Sequence, residues 1–178
     1  RARLMIKGLH HNAYRCRDSE ETRAFYEDFL GLPFAGALEI SATKTGRETH
    51  VLHTFFQMND GSFLAFFDDP DTPFDFKAQR DFDLHIALEV DHQHLQPMLE
   101  RGREAGIESR GISDHGFIDS IYFREVATGA LIVARYVNSR LAPTRRGLAL
   151  HQTAAIARTG KATLVIDDAG GHGGNERG

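Results

Sequence analysis

The stretch HNAYRCRDSEETRAFYEDFLGLP, residues 11–33, holds a strand, a helix start and a helix stop in one run. Residues 8–17 alternate and are β-prone, which predicts a strand. Asp18 follows, a side chain able to accept hydrogen bonds from the free N–H groups of a first helical turn, with Glu21 three residues on as in a capping box. Ala24, Phe25, Phe29 and Leu30 then recur at helical spacing, and Gly31 supplies the residue that tolerates positive φ at a helix end. Beyond it, segments 34–41, 50–58 and 62–68 read as strands, with Asn59-Asp60-Gly61 as a hairpin turn between the last two.

Residues 69–82 carry two prolines and no clean period, so they read as a linker. The pattern then begins again. Residues 84–90 predict a strand, and Asp91 can cap a helix with Leu95, Met98 and Leu99 on its buried side. Gly106 closes that helix, and strands follow near 107–113, 119–126 and 130–137, the last pair joined through Thr128-Gly129. The unit strand–helix–strand–strand–strand thus occurs twice. His11 and His85 hold matching places in the two first strands, and Gly61 and Gly129 match at the final hairpins. The expected fold is α+β: two βαβββ modules forming a cupped mixed sheet over residues 5–137. Module one spans about 5–68 and module two about 83–137, and an irregular tail over 138–178 reads as flexible. In such a repeat both halves feed one curved surface, and equivalent residues converge on it.

Composition narrows the function. The chain has 178 residues, 41% hydrophobic and 26% charged, with 13 Phe and no Trp; this suffices for a core and excludes a wholly disordered chain. No run of 18 apolar residues spans a membrane, and no secretory signal is visible. A single cysteine, Cys16, forms no internal disulfide and reads as a small buried hydrophobe, in keeping with a cytoplasmic location. Residues 1–125 hold 22 acids against 14 Lys/Arg, whereas residues 126–178 hold 3 against 7. That basic tail is sparse and has no aromatic after Tyr136 to stack on a base, which argues against nucleic acid as a partner. No nucleophile–base–acid triad and no phosphate-cradling glycine loop is readable.

The phrases His11-Asn-Ala-Tyr-Arg-Cys-Arg-Asp18 and Phe25-Tyr26 … Leu30-Gly31-Leu32-Pro33 resemble the opening of the vicinal oxygen chelate superfamily, which contains glyoxalases, extradiol ring-cleaving dioxygenases and drug-sequestering resistance proteins. The resemblance covers about residues 5–137. It implies paired βαβββ modules around a divalent metal, homodimers, and a small-molecule substrate. The stretch His115-Gly-Phe-Ile-Asp-Ser-Ile-Tyr122-Phe-Arg-Glu125 is similar to the extradiol dioxygenase signature. In that branch the resemblance implies Fe(II) held by His11 and His85, His115 as acid/base, Tyr122 assisting at a small aromatic diol, and an oxidoreductase activity. Two imidazoles and a carboxylate would leave open positions for diol and O₂, and an imidazole suits proton handling near neutrality. Third strands face the cavity in this family, so His53 is expected to line the pocket. Phe55 is placed with it, although Phe55, Phe63, Phe66 and Phe67 also suit the core. His10, next to His11, is expected on the opposite side of the strand and is not taken as a ligand. His92 and His94 open the second helix and are expected in solvent.

The pattern departs from the family at one place. Val126 stands where the signature continues with proline, and the glutamate ligand expected four residues after the turn glycine falls on Val133. The matching place in module one, Ala65, is also empty, which argues against a glyoxalase with four protein ligands. Glu125 through a shifted strand, His50 or His53, or water are the available substitutes; without one, two neutral imidazoles hold Fe(II) loosely. No Asp or Glu lies between Val126 and Ile166, so the change of composition after Glu125 marks either a reading-frame change or a natural divergence. The competing expectation is a metal-free binding protein that sequesters an aromatic small molecule, or a catalytically inactive relative.

Overall fold

The computed structural model describes residues 5–77, 79–116 and 118–137. It has eight strands and two helical segments in the order β1 (His11–Cys16), α1 (Ser19–Arg23, continuing through Ala24–Phe29), β2 (Phe34–Ala42), β3 (Glu48–Gln57), β4 (Phe63–Asp68), β5 (His85–Glu89), α2 (His92–Glu104), β6 (Ser109–Asp114), β7 (Ile118–Arg124) and β8 (Leu131–Val137). This is βαβββ twice, and each module forms one four-stranded mixed sheet of the same order, β1-β4-β3-β2 and β5-β8-β7-β6. The fold is α+β, as the repeat predicted. The expected tail, 138–178, lies outside the described residues. No helix among the described residues is long and apolar enough to cross a membrane.

The chain divides into two compact units, residues up to 84 with 124–131, and 85–123 with the strand from 132 onward. In the first, β1 runs parallel to β4, while β4, β3 and β2 are antiparallel. Asp18 caps α1 as expected, its Oδ1 accepting the Glu21 N–H at 2.8 Å. The reciprocal half of the box is not made, because the Glu21 carboxylate pairs with Arg17 instead. The second half of the helix is wider than an α-helix: the Leu30 N–H donates to the Phe25 carbonyl at 3.0 Å, five residues back. Such a turn inserts a residue and rotates the buried face. The predicted stripe is corrected accordingly: Ala24 is exposed, and Tyr26, fully buried, packs on Phe66 at 4.6 Å and Phe56 at 5.6 Å between ring centroids. Gly31 ends the helix at φ 80°, and Gly61 (φ 82°) makes the β3–β4 turn.

In the second unit Leu95 and Leu99 are buried on α2 as expected, whereas Met98 is only half-buried. Asp91 takes the N-cap position without a side-chain bond to the helix. Gly102 fits α2 against β7: a Cβ there would lie 2.6 Å from the Phe123 ring.

The β7–β8 turn carries the feature that the sequence did not disclose. Glu125 is 1% exposed. Its carboxylate accepts the Ala127 N–H at 2.6 Å, the Thr128 N–H at 2.8 Å and the Thr128 hydroxyl. The Arg17 N–H in turn donates to the Ala127 carbonyl at 2.8 Å, and Arg124 reaches Asp81 at 2.6 Å, so this turn is built into the first unit.

Candidate functional site

Strand alternation and register bring one set of predicted residues together in the first unit. His11 pairs with Phe63 and Arg15 with Phe67 across β1–β4, while His53 pairs with Phe67 across β3–β4, so His11, Phe63, Phe67, His53 and Phe55 share one face of the sheet. The rings touch. His53 stacks on Phe67 at 3.9 Å and 16°, lies 4.2 Å from Phe55 and 5.8 Å from His11; Phe55 and His11 are 5.6 Å apart. His53 is buried, and its Nδ1–H donates to the Phe66 carbonyl at 3.0 Å. That bond fixes the tautomer and leaves Nε2 with its lone pair. Phe66, by contrast, faces the helix and belongs to the core.

One expectation is corrected here. His10 does not turn away from His11: their Nδ1 atoms are 2.8 Å apart and the rings meet edge to face at 5.0 Å. The reason is local, for β1 begins at His11 and strand alternation does not govern the residue before it. At the far end of this face Arg15 clamps the segment after β4, donating to the Asp69 and Thr72 carbonyls, both at 2.9 Å, with Phe74 beneath its guanidinium at 5.1 Å.

The second unit brings the other predicted pair together. Tyr122 lies on β7, and His115 sits in the turn before it, its main-chain N–H bonded to the Ile118 carbonyl. His115 Nε2 is 3.1 Å from the Tyr122 hydroxyl, within hydrogen-bond distance. Arg110, on β6 and directly opposite Tyr122, has its guanidinium carbon 5.5 Å from the centroid of the Tyr122 ring. The sequence reading passed over Arg110, yet a signal was there. Arg110 and Tyr122 lie six residues either side of Gly116, as partners across a hairpin do. His85 opens β5, exposed, with the buried Ile86 on the opposite side. His92 stays mostly in solvent, near Asp119 at 3.5 Å and Tyr136.

The donor set for a divalent metal can be tested residue by residue. Val133 is fully buried on β8, two residues before Arg135, whose Nε–H donates to the Ser120 hydroxyl at 3.2 Å; Ser120 is in turn two before Tyr122. Val133 therefore shares the Tyr122 face, where a carboxylate ligand is expected and an isopropyl group stands. Glu125 cannot replace it, since both carboxylate oxygens are taken up by the turn. His50 is three residues from His53, hence on the other face of β3, and it pairs with Asp71 at 2.6 Å. Among the described residues no group of three or more His, Cys, Asp or Glu is placed to hold a metal ion. A two-histidine–carboxylate centre does not fit these residues.

No protein-family model and no curated protein matches the sequence. Solved structures match at the level of fold. A fosfomycin resistance protein, FosX, from Listeria monocytogenes, complexed with Mn(II) and sulfate, is 20% identical over 79% of this chain and 100% of its own, at a TM-score of 0.56. A glyoxalase/dioxygenase from Nostoc punctiforme is 24% identical over 74% of this chain and 91% of its own, also at 0.56. An integron cassette protein from the mobile metagenome of a Halifax Harbour sewage outfall is 18% identical over 74% and 100%, at 0.52. The chain shares the fold of these structures, and the extradiol branch is not singled out among them.

Proposed function

We propose that the protein binds a small aromatic diol without a complete metal centre, as a sequestering or catalytically inactive member of this fold group. The observation that carries the reading is the fully buried Val133 at the place of the carboxylate ligand. Two imidazoles alone supply no anionic donor to a hard divalent ion. Aromatic rings for stacking a ligand are present around His53, and protic groups for a diol hydroxyl are present at His115 and Tyr122. Homodimer formation and a cytoplasmic location belong to the same proposal; light scattering tests the first.

A second reading, extradiol ring cleavage with Fe(II) held by His11 and His85, is favoured by one observation, the His115–Tyr122 contact at 3.1 Å. In it His115 moves a proton at the diol and the Tyr122 hydroxyl orients the ring. The two readings separate on protein purified anaerobically, analysed for metal and offered catechol. Our proposal expects little bound metal, no yellow ring-fission product, and saturable quenching of tyrosine fluorescence by the diol. Iron near one per chain with turnover overturns it in favour of the dioxygenase, and His85→Ala should then abolish iron uptake. Val133→Glu adds a carboxylate to the Tyr122 face and should raise affinity for Mn(II); unchanged affinity would remove position 133 from the argument.

A further inference from the structure

The aromatic face of the first unit holds a polar atom that the packing of its rings does not use. His53 is 7% exposed, and its Nδ1–H is committed to the Phe66 carbonyl at 3.0 Å. With the proton on Nδ1, the neutral ring carries a lone pair at Nε2 and no donor there. No other hydrogen bond to this imidazole is made among the described residues. The ring is held in place by Phe67, stacked on it at 3.9 Å, and by Phe55 at 4.2 Å. Around it the same face is apolar and open. Leu38, its partner across β2–β3, is 58% exposed, and Phe55 and Phe67 are half-buried. Ala13, exposed, pairs with Ala65 across β1–β4, so a methyl group and no long side chain stands between His11 and Arg15 on β1. The cation at the far end, Arg15, is committed to Asp69 and Thr72.

We infer that His53 is the specificity residue of this face: its Nε2 accepts a hydrogen bond from a ring hydroxyl, so the ligand is a neutral phenol in preference to an arene without a donor or an aromatic anion. The inference deepens the ligand-binding reading above, on which it rests, by naming the group that takes the hydroxyl. Stacking alone is indifferent to the hydroxyl, since any arene of suitable size packs on Phe55, Phe67 and Leu38. The lone pair is not indifferent. An apolar ligand laid over His53 strips water from Nε2 and leaves a buried acceptor unpaired, whereas a phenol O–H replaces that water with a bond. A site built around a buried polar group rejects an analogue that leaves it unpaired more sharply than an apolar site rejects a missing methylene. A carboxylate or phenolate brings lone pairs to a lone pair and gains nothing there. The bond to Phe66 keeps His53 in this role, because it holds the proton on Nδ1 and the ring in its stack.

The test compares p-cresol with 4-fluorotoluene, which has the same shape and no O–H. Both are titrated into the full chain, with its histidine rings nitrogen-labelled for NMR, at about pH 8, above the ordinary range of imidazole and below that of a phenol. Wild type should bind p-cresol about tenfold more tightly, the size of one recovered hydrogen bond. The His53 Nε2 resonance should move with p-cresol and stay with 4-fluorotoluene. His53→Phe keeps a ring in the stack and removes the acceptor, so it should bind the two alike. A preference that survives in His53→Phe overturns the inference and leaves the hydroxyl to His115 and Tyr122. If that variant does not fold, the wild-type resonance decides, and an Nε2 signal that p-cresol leaves unmoved overturns the inference. Equal binding of both probes by wild type, or binding of catechol and of neither probe, also overturns it while the binding reading stands. Failure of wild type to bind catechol or either probe overturns both.

Discussion

Replacing Glu125 by glutamine removes one charge and changes one atom, yet the turn gives it a large expected effect. One carboxylate oxygen accepts from the Ala127 N–H, the other from the Thr128 N–H and hydroxyl, at a site 1% exposed. Whichever way the amide is turned, its NH₂ faces an N–H, so a buried donor loses its acceptor. A lost bond to a charged group costs about 1.5–3 kcal/mol and an orphaned buried donor about 1–3 kcal/mol. Relief of the buried charge offsets part of this, since burial already pushes the Glu125 carboxyl above the ordinary carboxylate range. A net loss of about 2–4 kcal/mol follows, or roughly 5–15 °C in Tm for a chain of this size. The pH dependence has a definite sign. With the folded-state value raised, the folded protein holds the proton more tightly than the unfolded chain. The contribution is therefore fully present below the unfolded value, near 4.3, and is lost as pH rises through the folded one. Urea titrations at neutral pH and near pH 4 should show the variant destabilised at both, with the gap wider at the lower pH. A variant as stable as wild type at neutral pH would refute the turn as drawn. A gap that narrows in acid would mean that the three hydrogen bonds outweigh burial in setting this carboxyl.

Three further outcomes can be checked separately. Gly102→Ala should destabilise the protein by about 1–3 kcal/mol despite alanine's better helix propensity, because the new methyl meets the fully buried Phe123 ring and the Ser109 hydroxyl; a rise in Tm would show that α2 can move off β7. Burial pushes the Cys16 thiol up to about 11, so the folded protein should resist a thiol-exchange reagent that modifies it at once in denaturant; fast modification in the native state would contradict its placement. The Asp71 carboxylate beside His50 holds that imidazole above its ordinary value, so whatever stability the exposed pair adds is present below about pH 6.5 and fades as pH rises through the raised midpoint. The His50 ring protons followed by NMR should titrate at lower pH in Asp71→Asn, and an unmoved midpoint would dismiss the pair.

The strands and turns were legible because their signals are local. The apolar run FLAFFD, the alternation in LHIALEV, the Asp18 cap, and glycines at 31, 61 and 129 each act within a few residues, and the doubled βαβββ order follows from reading them twice. The resemblance added the pairing of His115 with Tyr122, which spacing alone leaves undetermined, since seven residues can close a hairpin or cross it. What escaped depends on partners distant in the chain or on phase. The widened turn after Arg23 moves Tyr26 into the core and Ala24 out of it, because the extra backbone residue displaces a periodicity counted at 3.6. Glu125 looks like an idle acid at a strand end until the turn closes over it. Only then does its carboxylate become the acceptor that two main-chain N–H groups require.

The same contrast bears on function. A ligand atom is recognised in sequence by residue type at a position, so the loss of the carboxylate at Val133 was visible at once. Whether another acid compensates is a question of what else that acid is bonded to, and coordinates are needed to answer it. Glu125 is spent on its turn, His50 is on the wrong face of β3 and paired with Asp71, and His53 spends Nδ1 on Phe66 while keeping Nε2. Of the substitutes, only His53 keeps a ring nitrogen open on the face that carries His11. A neutral imidazole brings a donor but not the negative charge that a carboxylate supplies.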